Sequence, residues 1–189
     1  MFHTKLSLLF YLLFITLIRS QINLSCFIPK FTTTVKQLNV SQYLGVWYQV
    51  YGSIANSLFQ GNGTCVTAKY DLISNNNISV LNSQINNNKL EQISGYVYQK
   101  SSSKPGQLTV KLDGVSEAPY WIINLGEVKN DKYQYSIVVS PLSYFFWILA
   151  RNVTEYYTNY DNQVEEFLIK NKYNINCYYP INQTGCKCS

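Results

Sequence analysis

Eight short runs rich in Val, Ile, Tyr, Phe and Trp alternate with turn-forming clusters along this chain. The runs lie near residues 46–54, 64–73, 78–85, 91–99, 107–112, 119–125, 133–140 and 145–151. Between them sit Gly61-Asn62-Gly63, Ser74 to Asn77, Asn86-Asn87-Asn88, Ser101 to Gly106, Gly114 to Ala118, Gly126 to Asp131 and Pro141-Leu142-Ser143. Strands of this length and spacing predict an all-β antiparallel sandwich or barrel, and the short gaps suit hairpins. From Tyr156 to Tyr173 the apolar period changes: Tyr157, Tyr160, Val164, Phe167, Leu168 and Ile169 recur at spacings of three and four, which predicts one helix. Thr154 and Asp161 are its candidate caps, and Lys170 and Lys172 favour the negative end of its dipole. No repeat or linker divides the chain, and 189 residues suit a single domain.

The N-terminus reads as an address. Lys5 precedes Leu6–Ile18, an apolar run interrupted only by Ser7 and Thr16, and Arg19-Ser20 offers a cleavage point before Gln21. At 13 residues the run is short for a membrane span, so the expectation is a removed signal at 1–20 and a secreted domain at 21–189 rather than an uncleaved anchor. Removing 1–20 takes Lys5 and Arg19 and no acids, lowering the net charge from +5 to +3. The remaining cations are spread singly, which argues against a nucleic-acid partner. The one histidine, His3, goes with the signal, so the mature chain has no imidazole for triad catalysis or metal ligation. No catalytic residue, metal or cofactor is expected.

Five cysteines, Cys26, Cys65, Cys177, Cys186 and Cys188, allow two disulfides and one leftover thiol in an oxidising compartment, with the pairing left open by the sequence. Sequons at Asn23, Asn39, Asn62, Asn77, Asn152 and Asn182 fit a secreted glycoprotein.

Tyr43-Leu-Gly45-Val-Trp47-Tyr and Phe146-Trp-Ile-Leu-Ala-Arg151-Asn152 resemble the first and third signature motifs of the lipocalins. Arg151 is the only arginine after the signal. More of the chain resembles the apolipoprotein D-like lipocalins and their bacterial outer-membrane relatives. Gly63 to Tyr70 resembles their second strand, Ile78 to Asn82 the third, Ala118 to Ile123 the sixth, and Tyr144 to Asn152 the eighth. The resemblance covers about residues 26–188. It departs in the turn between the sixth and seventh strands: a Thr-Asp-Tyr-like motif is replaced by Leu125-Gly-Glu-Val-Lys-Asn-Asp-Lys-Tyr133.

The resemblance implies an eight-stranded antiparallel up-and-down β-barrel at about 43–152, one α-helix at about 156–173 packed outside it, and a Cys-rich tail at 174–189. Gly45, Trp47 and Arg151 are then the barrel-closing residues, the indole sealing one end and the guanidinium stacking over it. Members of the subgroup often carry a strand-seven cysteine that bridges to the N-terminal one. Here that strand has none, so Cys65 is expected to bridge to the tail at Cys186, and Cys26 to Cys177 or Cys188.

Strand alternation extends this to a lining. With Trp47 and Arg151 inward, Gln49 and Tyr51 face in on the first strand, and Trp147 and Leu149 on the eighth. An outward Cys65 puts Val66, Ala68 and Tyr70 inside, and the resemblance adds Val80 and Asn82. Such a lining, aromatic and aliphatic with few polar groups and no certain charge, suits a small, largely apolar ligand. The expected function is a secreted carrier of a lipid, sterol, retinoid or similar molecule. Two alternatives stand beside it. Some lipocalins resemble lipid isomerases with a strand-two thiol, which here would be Cys65. The loop at Ile54–Gly61 would instead serve as a recognition surface, with Leu58-Phe59 meeting a membrane or lipid particle.

Overall fold

Residues rich in β-branched and aromatic side chains form the walls. The structure, a computed structural model, describes Cys26, residues 32–74 and residues 77–186, apart from the side chains of Leu58 and Phe59. The expected signal at 1–20, Asn23 and Cys188 lie outside the described residues. A short helix α1 (Val40–Tyr43), capped by Asn39, leads into β1 (Gly45–Ser53). Helix α2 (Ile54–Gln60) follows, then the strands β2 (Thr64–Ser74), β3 (Asn77–Asn86), β4 (Lys89–Gln99), β5 (Gln107–Leu112) and β6 (Ala118–Leu125). A two-stranded ribbon, β7 (Val128–Lys129) and β8 (Lys132–Tyr133), occupies the Leu125–Tyr133 turn. Asn130 and Asp131 take the positive φ that so tight a hairpin needs. Strands β9 (Tyr135–Val139) and β10 (Phe146–Ala150) complete the wall.

Each wall strand pairs antiparallel with its neighbour, and β10 pairs back onto β1, so eight strands close into a barrel. The expected architecture therefore holds. The helix α3 spans residues 153–170, with a π-helical turn at Tyr156–Tyr160. It starts earlier than the pattern predicts. Asn152, rather than Thr154 or Asp161, is its cap, accepting from the Glu155 backbone N–H at 3.0 Å. The face that packs is Tyr156, Tyr160, Val164 and Leu168, whereas Tyr157 and Ile169 are exposed.

Two apolar layers follow from strand alternation. Outward residues Ile137 and Val139 of β9 and Phe146, Ile148 and Ala150 of β10 pack beneath α3. Inward residues Trp47, Ala68, Tyr70, Val80, Val138 and Leu149 form a second cluster inside the barrel. Strand β9 is buried at all five positions because the helix covers one face and the barrel interior the other.

The tail is more than a disulfide carrier. A short strand β11 (Tyr178–Pro180) pairs with β1 at Tyr51–Ser53, where β2 has diverged from it. The Gln183 amide donates to the Gln49 and Val66 carbonyls at 2.9 and 2.8 Å, bridging the split between β1 and β2. Disulfides Cys65–Cys186 and Cys26–Cys177 fix the tail, with Cα atoms 5.5 and 5.3 Å apart. Cys26 thus takes the first of its two expected partners.

Candidate functional site

One end of the barrel is corked. Trp47 is fully buried, and its indole N–H donates to the Tyr43 carbonyl at 2.8 Å. The Arg151 guanidinium lies over the indole, its Cζ 3.7 Å from the ring centroid. It donates to the carbonyls of Val46 (2.7 Å), Tyr43 (2.9 Å), Leu44 (3.0 Å), Gln42 (3.1 Å) and Tyr133 (3.2 Å). A planar fork with five N–H groups can serve such a ring of acceptors; an ammonium cannot. Burial brings the Arg151 pKa down to about 10, so it stays cationic at neutral pH. Gly45 completes the cork: its φ is +102°, and a β-carbon there would meet the guanidinium at 3.3 Å.

Above the cork is a cavity of about 500 Å³. Gln49, Val66, Ala68, Tyr70, Val80, Asn82, Trp147 and Leu149 all line it. Tyr51 does not. The β1–β10 register slips between Gln49 and Tyr51, and this bulge breaks the alternation that would have turned Tyr51 inward. Tyr51 instead packs edge-on against Tyr156 and Tyr157 of α3 and donates to Asp161.

The strands on the far side of the barrel supply lining that motif reasoning did not reach, including Ile93, Val110, Leu112 and Tyr120. Alternation along β4 to β6 was the available signal, but no residue there anchored its parity. Glu91 also lines the cavity and is its one charged side chain among the described residues, which corrects the expectation of a lining without certain charge. Its carboxylate accepts from Gln84 and Asn86 at 2.9 and 3.2 Å.

Two polar groupings interrupt the apolar wall. At the floor, Tyr70 donates to the Tyr120 hydroxyl at 3.0 Å, Tyr120 and Tyr43 share a 2.7 Å bond, and Tyr43 reaches Ser136 at 3.0 Å. Burial pushes the Tyr43 pKa up to about 12 and raises those of Tyr70 and Tyr120 too, so these phenols are neutral. Higher up, Gln60 at the end of α2 donates to Gln49 Oε1 and accepts from the Trp147 indole, both at 3.1 Å. Gln84 donates to the Gln60 carbonyl at 2.9 Å. One residue thus ties the β1–β2 connection to three wall strands, its side chain to β1 and β10 and its backbone carbonyl to β3. Leu58 and Phe59 belong to that same helix; their side chains lie outside the described residues.

Cys65 has a positive φ at a β2 bulge, and its sulfur is bonded to Cys186, so it presents no thiolate. No cluster of three His, Cys, Asp or Glu side chains suited to a metal occurs among the described residues. No helix among them is long and apolar enough to cross a membrane.

The Lipocalin-like domain family matches residues 38–172. Rat (Rattus norvegicus) apolipoprotein D is 34% identical over 126 residues, 62% of this chain and 62% of that protein, so the likeness spans under two thirds of that relative. The outer membrane lipoprotein Blc of Vibrio cholerae is 29% identical over 128 residues, 67% of this chain and 72% of its own. Among solved structures, insecticyanin from the tobacco hornworm Manduca sexta superposes with a TM-score of 0.63 at 16% identity, covering 85% of this chain and 89% of its own.

Proposed function

Since the chain belongs to the lipocalin-like domain family, whose members bind small hydrophobic ligands, we propose that it is a secreted carrier of one small, neutral, apolar molecule held in the barrel. The observation that carries this reading is the cavity of about 500 Å³, whose walls are mainly aliphatic and aromatic. Binding would remove apolar area from water at about 25 cal/mol per Å², less the entropic cost of association. With Glu91 as the one charged side chain lining the cavity among the described residues, a fatty-acid anion meets a like charge and no cation there, whereas a sterol, retinoid, terpene or long-chain alcohol meets no such penalty.

Secretion is supported by the leader-like 1–20 segment and by two disulfides. Asn39, Asn62, Asn77, Asn152 and Asn182 are all exposed, which supports their use as glycan acceptors. The helix α2 at the mouth is the part we assign to contact with a membrane or lipid particle during uptake. Replacing Leu58 and Phe59 together by Ser is expected to slow transfer from vesicles, and an unchanged rate would remove that role.

The test of the main reading is solvent extraction of the purified protein followed by mass spectrometry. A near-stoichiometric neutral lipid-like molecule is expected. The supporting titration uses retinol, cholesterol and dodecanol, each read by quenching of Trp147, with Trp147→Phe attributing the signal. No extracted molecule and no quenching by any of the three would overturn the carrier reading.

A further inference from the structure

One wall of the cavity grades from charged at the mouth to apolar at the floor. Tyr70 is paired with Gly45 of the cork on one side and with Val80 on the other, so β3 runs from the cork at Asn77 to the mouth at Asn86. Strands β3 and β4 pair residue for residue, and directly paired residues share a sheet face. From the mouth downward, the pairs on the face that holds Val80 are Gln84 with Glu91, Asn82 with Ile93, Val80 with Gly95 and Ile78 with Val97. Glu91, Gln84, Asn82, Ile93 and Val80 all line the cavity, and Ile78 and Val97 belong to the apolar cluster inside the barrel. Six residues of strand separate the two ends of this series, about 20 Å.

Glu91 stands at the upper end, exposed and lining the cavity at once, so its carboxylate meets the open space directly. It is held in place. One oxygen accepts from the Gln84 amide at 2.9 Å and the other from the Asn86 amide at 3.2 Å. Gln84 is itself fixed, because the same amide nitrogen donates to the Gln60 carbonyl at 2.9 Å. A carboxylate offers about four acceptor positions, so about two stay open here. No ion pair among the described residues involves Glu91. An ordered carboxylate with open acceptors and no cation is a receptor for a positive group, and holding it in advance lowers the entropic cost of engaging it. At the rim that group keeps part of its hydration, so the desolvation that penalises a deeply buried charge is largely avoided.

We propose that Glu91 is a head-group site: the cavity takes single-chain amphiphiles ending in a protonated amine, head at the mouth and chain toward the floor, in preference to the same chain ending in a hydroxyl or a carboxylate. This goes beyond the carrier reading, whose ligand is neutral, and rests on the same cavity. An ammonium brings three N–H donors and a positive charge to the open acceptors, whereas a hydroxyl brings one donor and no charge.

The experiment compares dodecylammonium, dodecanol and dodecanoate by calorimetric titration at pH 7 and low salt against the full chain, Glu91→Gln and Glu91→Lys. The ammonium is expected to bind about two- to fivefold more tightly than the alcohol, and the carboxylate more weakly than either. The margin should shrink as salt is raised. Glu91→Gln should bring the ammonium-to-alcohol ratio near one, and Glu91→Lys should place the carboxylate ahead of the ammonium. Glu166→Gln, on the exposed side of α3, makes the same change in net charge away from the cavity and should keep the parent ratio. Urea unfolding of each variant checks that the barrel is intact. An ammonium that binds the unmodified chain no more tightly than the alcohol overturns the head-group site. So does an ammonium-to-carboxylate ratio that neither Glu91 variant moves, or that Glu166→Gln moves as far. Each of these leaves the carrier reading standing, whereas no binding of any of the three compounds overturns both.

Discussion

Replacing Arg151 by Lys keeps the charge and removes the plate. The guanidinium serves five carbonyls at 2.7–3.2 Å and covers the Trp47 indole at 3.7 Å. An ammonium gathers its donors at one point and would reach about two of those carbonyls. Three lost bonds at about 0.5–1 kcal/mol each, in a half-buried site that water can re-enter, give about 1.5–3 kcal/mol. The lost stacking adds about 0.5–1 kcal/mol. The expected loss is about 2–4 kcal/mol, or roughly 5–12 °C in Tm for a chain of this size. Urea unfolding with the disulfides intact, followed by tryptophan emission, measures it. Because Arg151 has no carboxylate partner among the described residues, the difference should survive added salt. Lys100→Met, which removes a surface ion pair with Glu117, is the control and should cost under about 0.5 kcal/mol. If Arg151→Lys falls as close to the parent protein as that control does, the cork is not what holds the closed end.

Two further outcomes follow from the buried phenols and the cysteines. Burial raises the pKa of Tyr43 from the ordinary 10.0 to about 12 and pushes those of Tyr70 and Tyr120 well up as well. Above pH 10 the unfolded chain releases these protons while the folded chain keeps them. Stability should therefore be intact below pH 10 and fall by about 1.4 kcal/mol per group per pH unit as pH climbs toward 12. Urea midpoints at successive pH values, with phenolate absorbance as a second signal, check this; a flat profile would refute it. Thiol titration of the unfolded, unreduced protein should give one equivalent, mapping by peptide analysis to Cys188. Labelling at Cys65 would instead restore the thiol that an isomerase reading needs.

Much of this molecule was legible in its sequence, for identifiable reasons. Strand count and the presence of one helix follow from period and turn chemistry, which are local, whereas barrel closure and the helix's place outside it came from the resemblance to a known family. The Trp47–Arg151 pair was legible because one arginine stands in a sequence stretch that resembles a motif. The inward set on β2 and β10 was legible because alternation needs only one anchored residue per strand, and that on β3 because the stretch resembles a known family's third strand. Tyr51 was misplaced because a bulge is a property of two paired strands, and neither sequence alone announces it. The helix start was missed because Asn152 ends the barrel motif and caps the helix at once.

What the sequence determined alone was whatever depends on neighbours in the chain: the periodicity of strands and helix, the turns, and the chemistry available to the cavity. What the tertiary structure decided was whatever depends on residues brought together across the barrel. Those are the hydroxyl chain of Tyr43, Tyr70, Tyr120 and Ser136, the Gln60 tie, and the strand made by the tail. Hydrogen-bond satisfaction is a count taken over three-dimensional neighbours, and a linear string does not contain it.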